Sequence, residues 1–304
     1  TSMVSFGTGM QKNITDNVKK SDLFTSLTIT PGDMDNLHNA NVSNMKEMLK
    51  KSSVTLNDST ILYLKSIPHV ELVFPEITFE AKAGIKETAE TGIQAIPAAM
   101  SAYFPFNELL AGEFFSSDSD SSVVISWEKL RDMGFAVQTD EQTVILSAKD
   151  SAKNVKIVPP DSIIGKEIKI KTAVLNSAAV NPLSPKVEVK PFTEKITELK
   201  IKGILKKRKT FSRFRFSAGI FIPLQLEKQI PRLHSSNIWD ILNRKNKQKS
   251  YASIYVRVDD MKYLTQVREK IEAKGLHVFS VLNQLDDIKR SFLIIDAILG
   301  AIGT

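Results

Sequence analysis

A chain of 304 residues with 42% hydrophobic side chains has material for real cores and room for two domains, or for one domain carrying a large insertion. The absence of cysteine excludes disulfides, thiol catalysis and thiolate metal sites, and no uninterrupted apolar run is long enough to cross a bilayer as a helix. The formal net charge of +7 leaves anionic partners open, and the excess is local: eight cations and no acid lie between Lys200 and Phe216, and Arg244-Lys-Asn-Lys-Gln-Lys249 adds four more.

At the start of the chain, Met3, Phe6, Met10, Ile14 and Val18 recur at steps of three and four. They predict an amphipathic helix over 1–20, either the frayed end of an ordinary domain or one arm of a stalk. A strand is expected over Leu23 to Thr30, stopped by Pro31-Gly32. After a polar stretch, Thr55-Leu-Asn-Asp58 has the form of a capping box opening a helix that Pro68 ends near Ile67. Strands follow at Val70 to Phe74, at Ile77 to Ala81 and at Ile93 to Ile96. The segment Tyr103 to Phe115 is aromatic and punctuated by Pro105 and Gly112, and beyond it the Ser/Asp run 116–122 reads as a hinge.

Past that run the expected elements are a strand at Val123 to Ser126, a short helix around Trp127 to Met133, and strands near Val144 to Ala148 and Ile168 to Lys171. Asn176 to Pro191, with three prolines, is an extended excursion. Leu199 to Leu205 and Ile220 to Leu224 form a strand pair separated by the basic arm, and Ile230 to Asn243 is helical in part. Tyr251 to Val258 alternates Ala252, Ile254, Val256 and Val258 against Tyr251, Ser253, Tyr255 and Arg257, a strand with one oily face. Asp259 or Asp260 then opens a helix with Leu264, Val267 and Ile271 on one side, and a strand from His277 to Leu282 follows. These two strands are expected to run parallel, side by side or with a third between them.

The chain ends on Leu285, Ile288, Phe292, Ile295, Leu299 and Ile302, spaced three, four, three, four and three apart, which is a heptad seam over 285–304. The seam alone fits an amphipathic helix on a globular core. The stretch from Phe292 to Gly303, apolar nearly all round, reads as the first turns of a membrane helix, too short to span as it stands. The fold class expected is α+β: a mixed α/β subdomain from both chain ends (21–115 and 250–284), a mostly-β subdomain inserted at 116–249, and two end helices able to pair.

Catalytic signatures are missing. Gly165-Lys166 is followed by Glu167 where a phosphate loop needs Ser or Thr. His38, His69, His234 and His277 are far apart and lack metal spacing, and no Gly-x-Ser-x-Gly elbow occurs. The acidic pairs Asp259-Asp260 and Asp286-Asp287 suit helix starts. No catalytic residue, cofactor or metal is therefore assigned. The stretch that asks for a partner is the basic arm, with Lys206, Lys207, Arg208, Lys209, Phe211, Arg213 and Arg215 as candidate contacts. It fits a half-buried strand edge, charged outside and aromatic inside, a contact for an anionic lipid or acidic partner, or a base-stacking surface.

Several short stretches stand in a specific order: Thr28-Ile-Thr-Pro-Gly32, Ile67-Pro-His-Val70 with Val73-Phe-Pro75, Leu110-Ala-Gly-Glu-Phe-Phe115, Ile164-Gly-Lys166, Ile201-Lys-Gly-Ile-Leu205 answered by Ile220-Phe-Ile-Pro-Leu224, Tyr255-Val-Arg-Val-Asp259 and Ile298-Leu-Gly300. In this the chain resembles the extracytoplasmic domain of MacB/FtsX-type ABC transporter permeases. The resemblance implies a permease of the bacterial cytoplasmic membrane with this domain on its outer side, a porter-like subdomain built from both ends and a sabre-like one from the middle. It also implies an ABC ATPase domain or subunit, a second permease copy and a periplasmic adaptor or surface partner, with no nucleic acid. The function implied is mechanotransmission, non-catalytic in this domain, driving export or extraction of a peptide, antibiotic, toxin or lipoprotein. The alternative is a basic polyanion-binding module using the Lys200 to Phe216 arm.

Overall fold

The computed structural model describes residues 25–31, 55–139, 146, 154–175, 192–207, 216–232 and 250–280. The end helices expected over 1–20 and 285–304, the strand near 144–148, the excursion 176–191 and the helix after Ile230 lie wholly or mainly outside these residues. The strands in chain order are β1 (Ser26–Thr30), β2 (Val70–Pro75), β3 (Ile77–Gly84), β4 (Ala89–Ile96), β5 (Leu109–Gly112), β6 (Ser122–Ser126), β7 (Phe135–Val137), β8 (Lys156–Val158), β9 (Glu167–Leu175), β10 (Phe192–Leu205), β11 (Ile220–Pro223), β12 (Ile254–Val258) and β13 (His277–Ser280). The α-helices are α1 (Asp58–Lys65), α2 (Trp127–Asp132) and α3 (Leu264–Glu272). The chain divides into one unit of Thr1–Glu76 with Lys247–Thr304 and an inserted unit of Ile77–Asn246.

The end-built unit holds a four-stranded sheet in the order β13-β1-β12-β2. Each neighbouring pair is antiparallel, so β12 and β13 run in the same direction with β1 between them. The alternation in the sequence decides the inner face: Leu27, Ile29, Ile254, Val256 and Val258 share one cluster with Val73 and Val278. Leu264, Val267 and Ile271 of α3 are buried in the same cluster, as their helical spacing requires. Tyr255, expected on the polar face, is instead fully buried and stacks on Phe74 at a centroid distance of 4.7 Å. Both faces of β12 are therefore covered.

Helix α1 begins two residues later than its sequence suggested. The capping box is Asn57 with Thr60: the Thr60 amide donates to Asn57 Oδ1 at 3.0 Å, and the Asn57 amide donates to Thr60 Oγ1 at 3.3 Å. Leu56 explains the shift. It is fully buried and bridges Tyr251, whose amide donates to its carbonyl at 2.7 Å, so it stays extended and the helix starts only after it.

In the inserted unit the strands follow the order β5-β10-β6-β11-β4-β3-β9, and β9 also pairs with β10. Strand β10 makes that closure possible because it is 14 residues long. Its first part, Phe192 to Lys200, pairs antiparallel with β9, and Lys200 to Leu205 pairs parallel with β6. Six strands thereby form a closed ring, with β5 added alongside the last residues of β10. Alternate residues build one core: Ala81 and Ala83, Ile93 and Ala95, Ile220 and Ile222, Val123 and Ile125, Leu199 and Ile201, Ile168 and Ile170. Phe221, on the opposite face of β11, meets Phe106 edge-on at 5.0 Å, and Phe106 also touches Phe114 and Phe216.

Two expectations about this unit are corrected. The passage between units lies at Glu76/Ile77, not at 115/116: β3, β4 and β5, expected in the end-built subdomain, pair within the ring system. The Ser/Asp run 116–122 is not a free hinge, because its carboxylates fasten it on several sides. Asp118 Oδ1 accepts from the Ala98 amide at 2.6 Å, and its carbonyl accepts from the Gln225 amide at 3.0 Å. Asp120 accepts from Lys202 Nζ at 2.8 Å, the Ser116 amide at 3.1 Å and the Ser116 hydroxyl at 2.9 Å.

Burial of Asp120 works to raise its carboxyl, but Lys202, both Ser116 donors and the Ser122 hydroxyl together hold it well below the usual carboxylate range. A carboxylate depressed on folding contributes stability above its unfolded value of 3.8, and that contribution fades as the pH falls below it. Asp120→Asn is expected to destabilise the chain by about 1–3 kcal/mol at pH 7. The difference from wild type should shrink at pH 3, as read by urea unfolding at both pH values.

Candidate functional site

The sheet of the end-built unit has two ports, fixed by its register. Leu27 lies opposite Ser280, so the chain enters β1 and leaves β13 at neighbouring strand ends. At the far end of the sheet, Ile254 lies opposite both Ile29 and Pro75, and the Glu76 amide donates to the Ser253 carbonyl at 3.0 Å. There β2 gives out to the inserted unit and β12 receives the chain back from it. Five strand residues separate the ports, a span of about 17 Å at 3.4 Å per residue.

Both ends of β12 are tied down. Beside the terminal port, the Val258 amide donates to the Thr25 carbonyl at 2.7 Å, and the Asp259 amide donates to the His69 carbonyl at 3.0 Å. His69, at φ 70°, lies flat on Tyr263 with centroids 3.4 Å apart, and its Nδ1 is 3.0 Å from Asp259 Oδ2. Next to it the Lys262 backbone amide and ammonium hold the Asp260 carboxyl down, and Asp260 in turn raises Lys262. On the adjoining strand pair, Arg257 Nε is 3.0 Å from Glu71 Oε2. Near the other port, the Tyr251 hydroxyl donates to Asp58 Oδ1 at 2.6 Å.

The candidate contacts of the basic arm are only partly placed. Lys206 and Lys207 are exposed just after β10; the Lys206 amide donates to the Glu108 carbonyl at 3.0 Å, and Lys207 Nζ lies 5.5 Å from the centre of the Trp127 ring. Arg208, Lys209, Phe211, Arg213 and Arg215 lie outside the described residues. Phe216, where the arm returns, is buried against Phe106 at 4.9 Å. The His69–Asp259–Tyr263 cluster was not foreseen, since its members lie up to 194 residues apart and no local pattern joins them. Asp260 was: its Oδ1 accepts from the Lys262 amide at 2.9 Å, as a helix-opening acid should.

Among the described residues no group of three or more His, Asp or Glu could hold a metal ion, and no helix is long and apolar enough to cross a membrane. The register places the start of β1 and the end of β13 at one end of this small sheet, and the end of β2 and the start of β12 at the other. The family model for the MacB-like periplasmic core domain matches residues 1–274. The chain belongs to this family.

It is accordingly an extracytoplasmic domain of a MacB-like ABC transporter permease, of mixed α/β fold. No curated protein matches the sequence. Among solved structures, it is similar to the periplasmic region of MacB from Actinobacillus actinomycetemcomitans, with 13% identity, TM-score 0.45, and coverage of 92% of this chain and 97% of that one. It is also similar to the extracellular domain of the noncanonic ABC-type transporter YknZ from Gram-positive bacteria, with 11% identity, TM-score 0.40, and coverage of 84% and 99%. In this MacB-like domain, the motifs Leu110 to Phe115 and Ile201 to Leu205 meet directly, through the pairing of β5 with β10.

Proposed function

We propose that this MacB-like periplasmic core domain is a non-catalytic lever. It relays ATP-driven movement of the permease helices, on the cytoplasmic membrane, to the extracytoplasmic side. The ATP is hydrolysed by a separate ABC domain or subunit. A second permease copy completes the working unit, and an adaptor or surface partner receives the movement. The cargo classes that fit such a lever are peptides, antibiotics, toxins and lipoproteins.

The observation that carries this reading is the pairing of Leu27 with Ser280. A lever anchored by both chain ends must take them up side by side, and here neighbouring antiparallel strands do so, while the links to the inserted unit leave from the opposite end. The test uses the full-length permease reconstituted with its ATPase. A spin label on Gln266→Cys, exposed on α3, reports the distance between copies by double electron–electron resonance. Nucleotide-free and ATP-trapped states should give different distance distributions; identical distributions would overturn the reading.

A further inference from the structure

We infer that the four-stranded sheet is a directional tension element, resistant to load along its strands and weak to load across them. This deepens the lever reading and rests on it.

A pull between the ports arrives at the start of β1 and the end of β13, and departs from the end of β2 and the start of β12. Strands β1 and β2 are not neighbours; β12 stands between them, antiparallel to both. All load taken by β1 must therefore cross the ladder from Ser26↔Arg257 to Ile29↔Ile254, and load reaching β2 must cross the ladder from Ile254↔Pro75 to Val258↔Val70. In an antiparallel pair the hydrogen bonds stand perpendicular to the strands. A pull along the strands strains them together, and none can yield first.

The pattern of side chains adds a second barrier. A slip of β1 by one residue would turn Leu27 and Ile29 out of the core and put Thr28 in their place. The sheet can settle again only after two residues, about 7 Å of travel at 3.4 Å each. The ties of Val258 to Thr25, Asp259 to His69 and Glu76 to Ser253 close the register at its ends. A force that draws the chain ends apart sideways meets nothing of the kind. It loads the Leu27↔Ser280 end first and then works along the ladder past Thr28↔Phe279 and Ile29↔Val278, so its hydrogen bonds part in succession and not together.

The lack of cysteine makes the test clean, because handles can be placed by thiol chemistry at chosen sites in the full chain. In optical tweezers, one protein carries handles at Thr25→Cys and Glu76→Cys, loading the sheet along its strands. A second carries them at Thr25→Cys and Phe279→Cys, loading it across. A third, Pro31→Cys with His277→Cys, opens the β1–β13 ladder from its other end and covers the case in which the second fails to fold. Circular dichroism establishes folding before each pull. The along-strand rupture force is expected to be several-fold higher than either across-strand force; equal forces or the reverse order would overturn the inference. Displacement on ATP binding without this anisotropy defeats the tension element alone, whereas anisotropy without displacement defeats the lever reading.

Discussion

Replacing Arg232 by methionine is expected to destabilise the inserted unit by about 3–5 kcal/mol, because it takes the guanidinium away from the buried carboxylate of Glu227. The Arg232 and Glu227 side chains are 7% and 8% exposed and are joined directly. Arg232 Nη1 also donates to the Glu227 carbonyl at 3.1 Å, and the guanidinium lies 4.2 Å from the centre of the Phe79 ring. That geometry uses the planar fork as well as the charge, so Arg232→Lys should recover only part of the loss. The double variant Arg232→Met with Glu227→Leu removes both charges and should be far closer to wild type than Arg232→Met alone. Chemical denaturation of the four proteins checks this, and a double variant no better than the single one would contradict it.

Gly112→Ala is expected to cost about 3 kcal/mol or more, from backbone strain and overpacking together. Gly112 has φ 75°, and a Cβ there would sit 2.1 Å from the Lys202 carbonyl oxygen and 2.8 Å from Ile164 Cδ1. Its registered partner is Gly203, whose own Cβ would come within 2.4 Å of the Glu113 carbonyl oxygen. Two motif glycines thus face one another, and the closeness of β5 to β10 depends on both. Gly134→Ala provides the comparison: φ is 88°, yet no atom lies within 4 Å of the added carbon, so only the strain of about 1–2 kcal/mol remains. Equal losses of melting temperature in the two variants would show that packing at Gly112 is not the cause.

What could be read in advance was whatever repeats locally. Strand β12 and helix α3 were legible because their apolar residues recur at two and at three to four, and Ile254, Val256, Val258, Leu264, Val267 and Ile271 are all buried. The parallel course of β12 and β13, with a third strand admitted between them, followed from the packed helix that joins the two strands. Distant contacts were not legible. The start of α1 is set by Leu56 pairing with Tyr251, 195 residues away. The first residues of β10 were missed because Phe192 to Ile196 are exposed on both faces and show no alternation; they are a strand because β9 pairs with them. Without that stretch the closure of the ring is invisible, and β3 to β5 have no evident reason to join the inserted unit. The candidate site followed the same rule: a motif order spread along the chain identified the family, but the ports and the His69 cluster are products of register.

The sheet order β13-β1-β12-β2 interleaves two strands made early with two made last. Strands β1 and β2 are not hydrogen-bonded to each other, and each waits for β12, which begins only at Ile254. The ring of the inserted unit is drawn from one continuous run, Ile77–Asn246, and can close while the last strands are still being synthesised. Its closure also shortens the effective loop between Glu76 and Ser253, lowering the entropic cost of bringing them together. Biogenesis therefore has a built-in sequence, the inserted unit first and the four-stranded sheet after it.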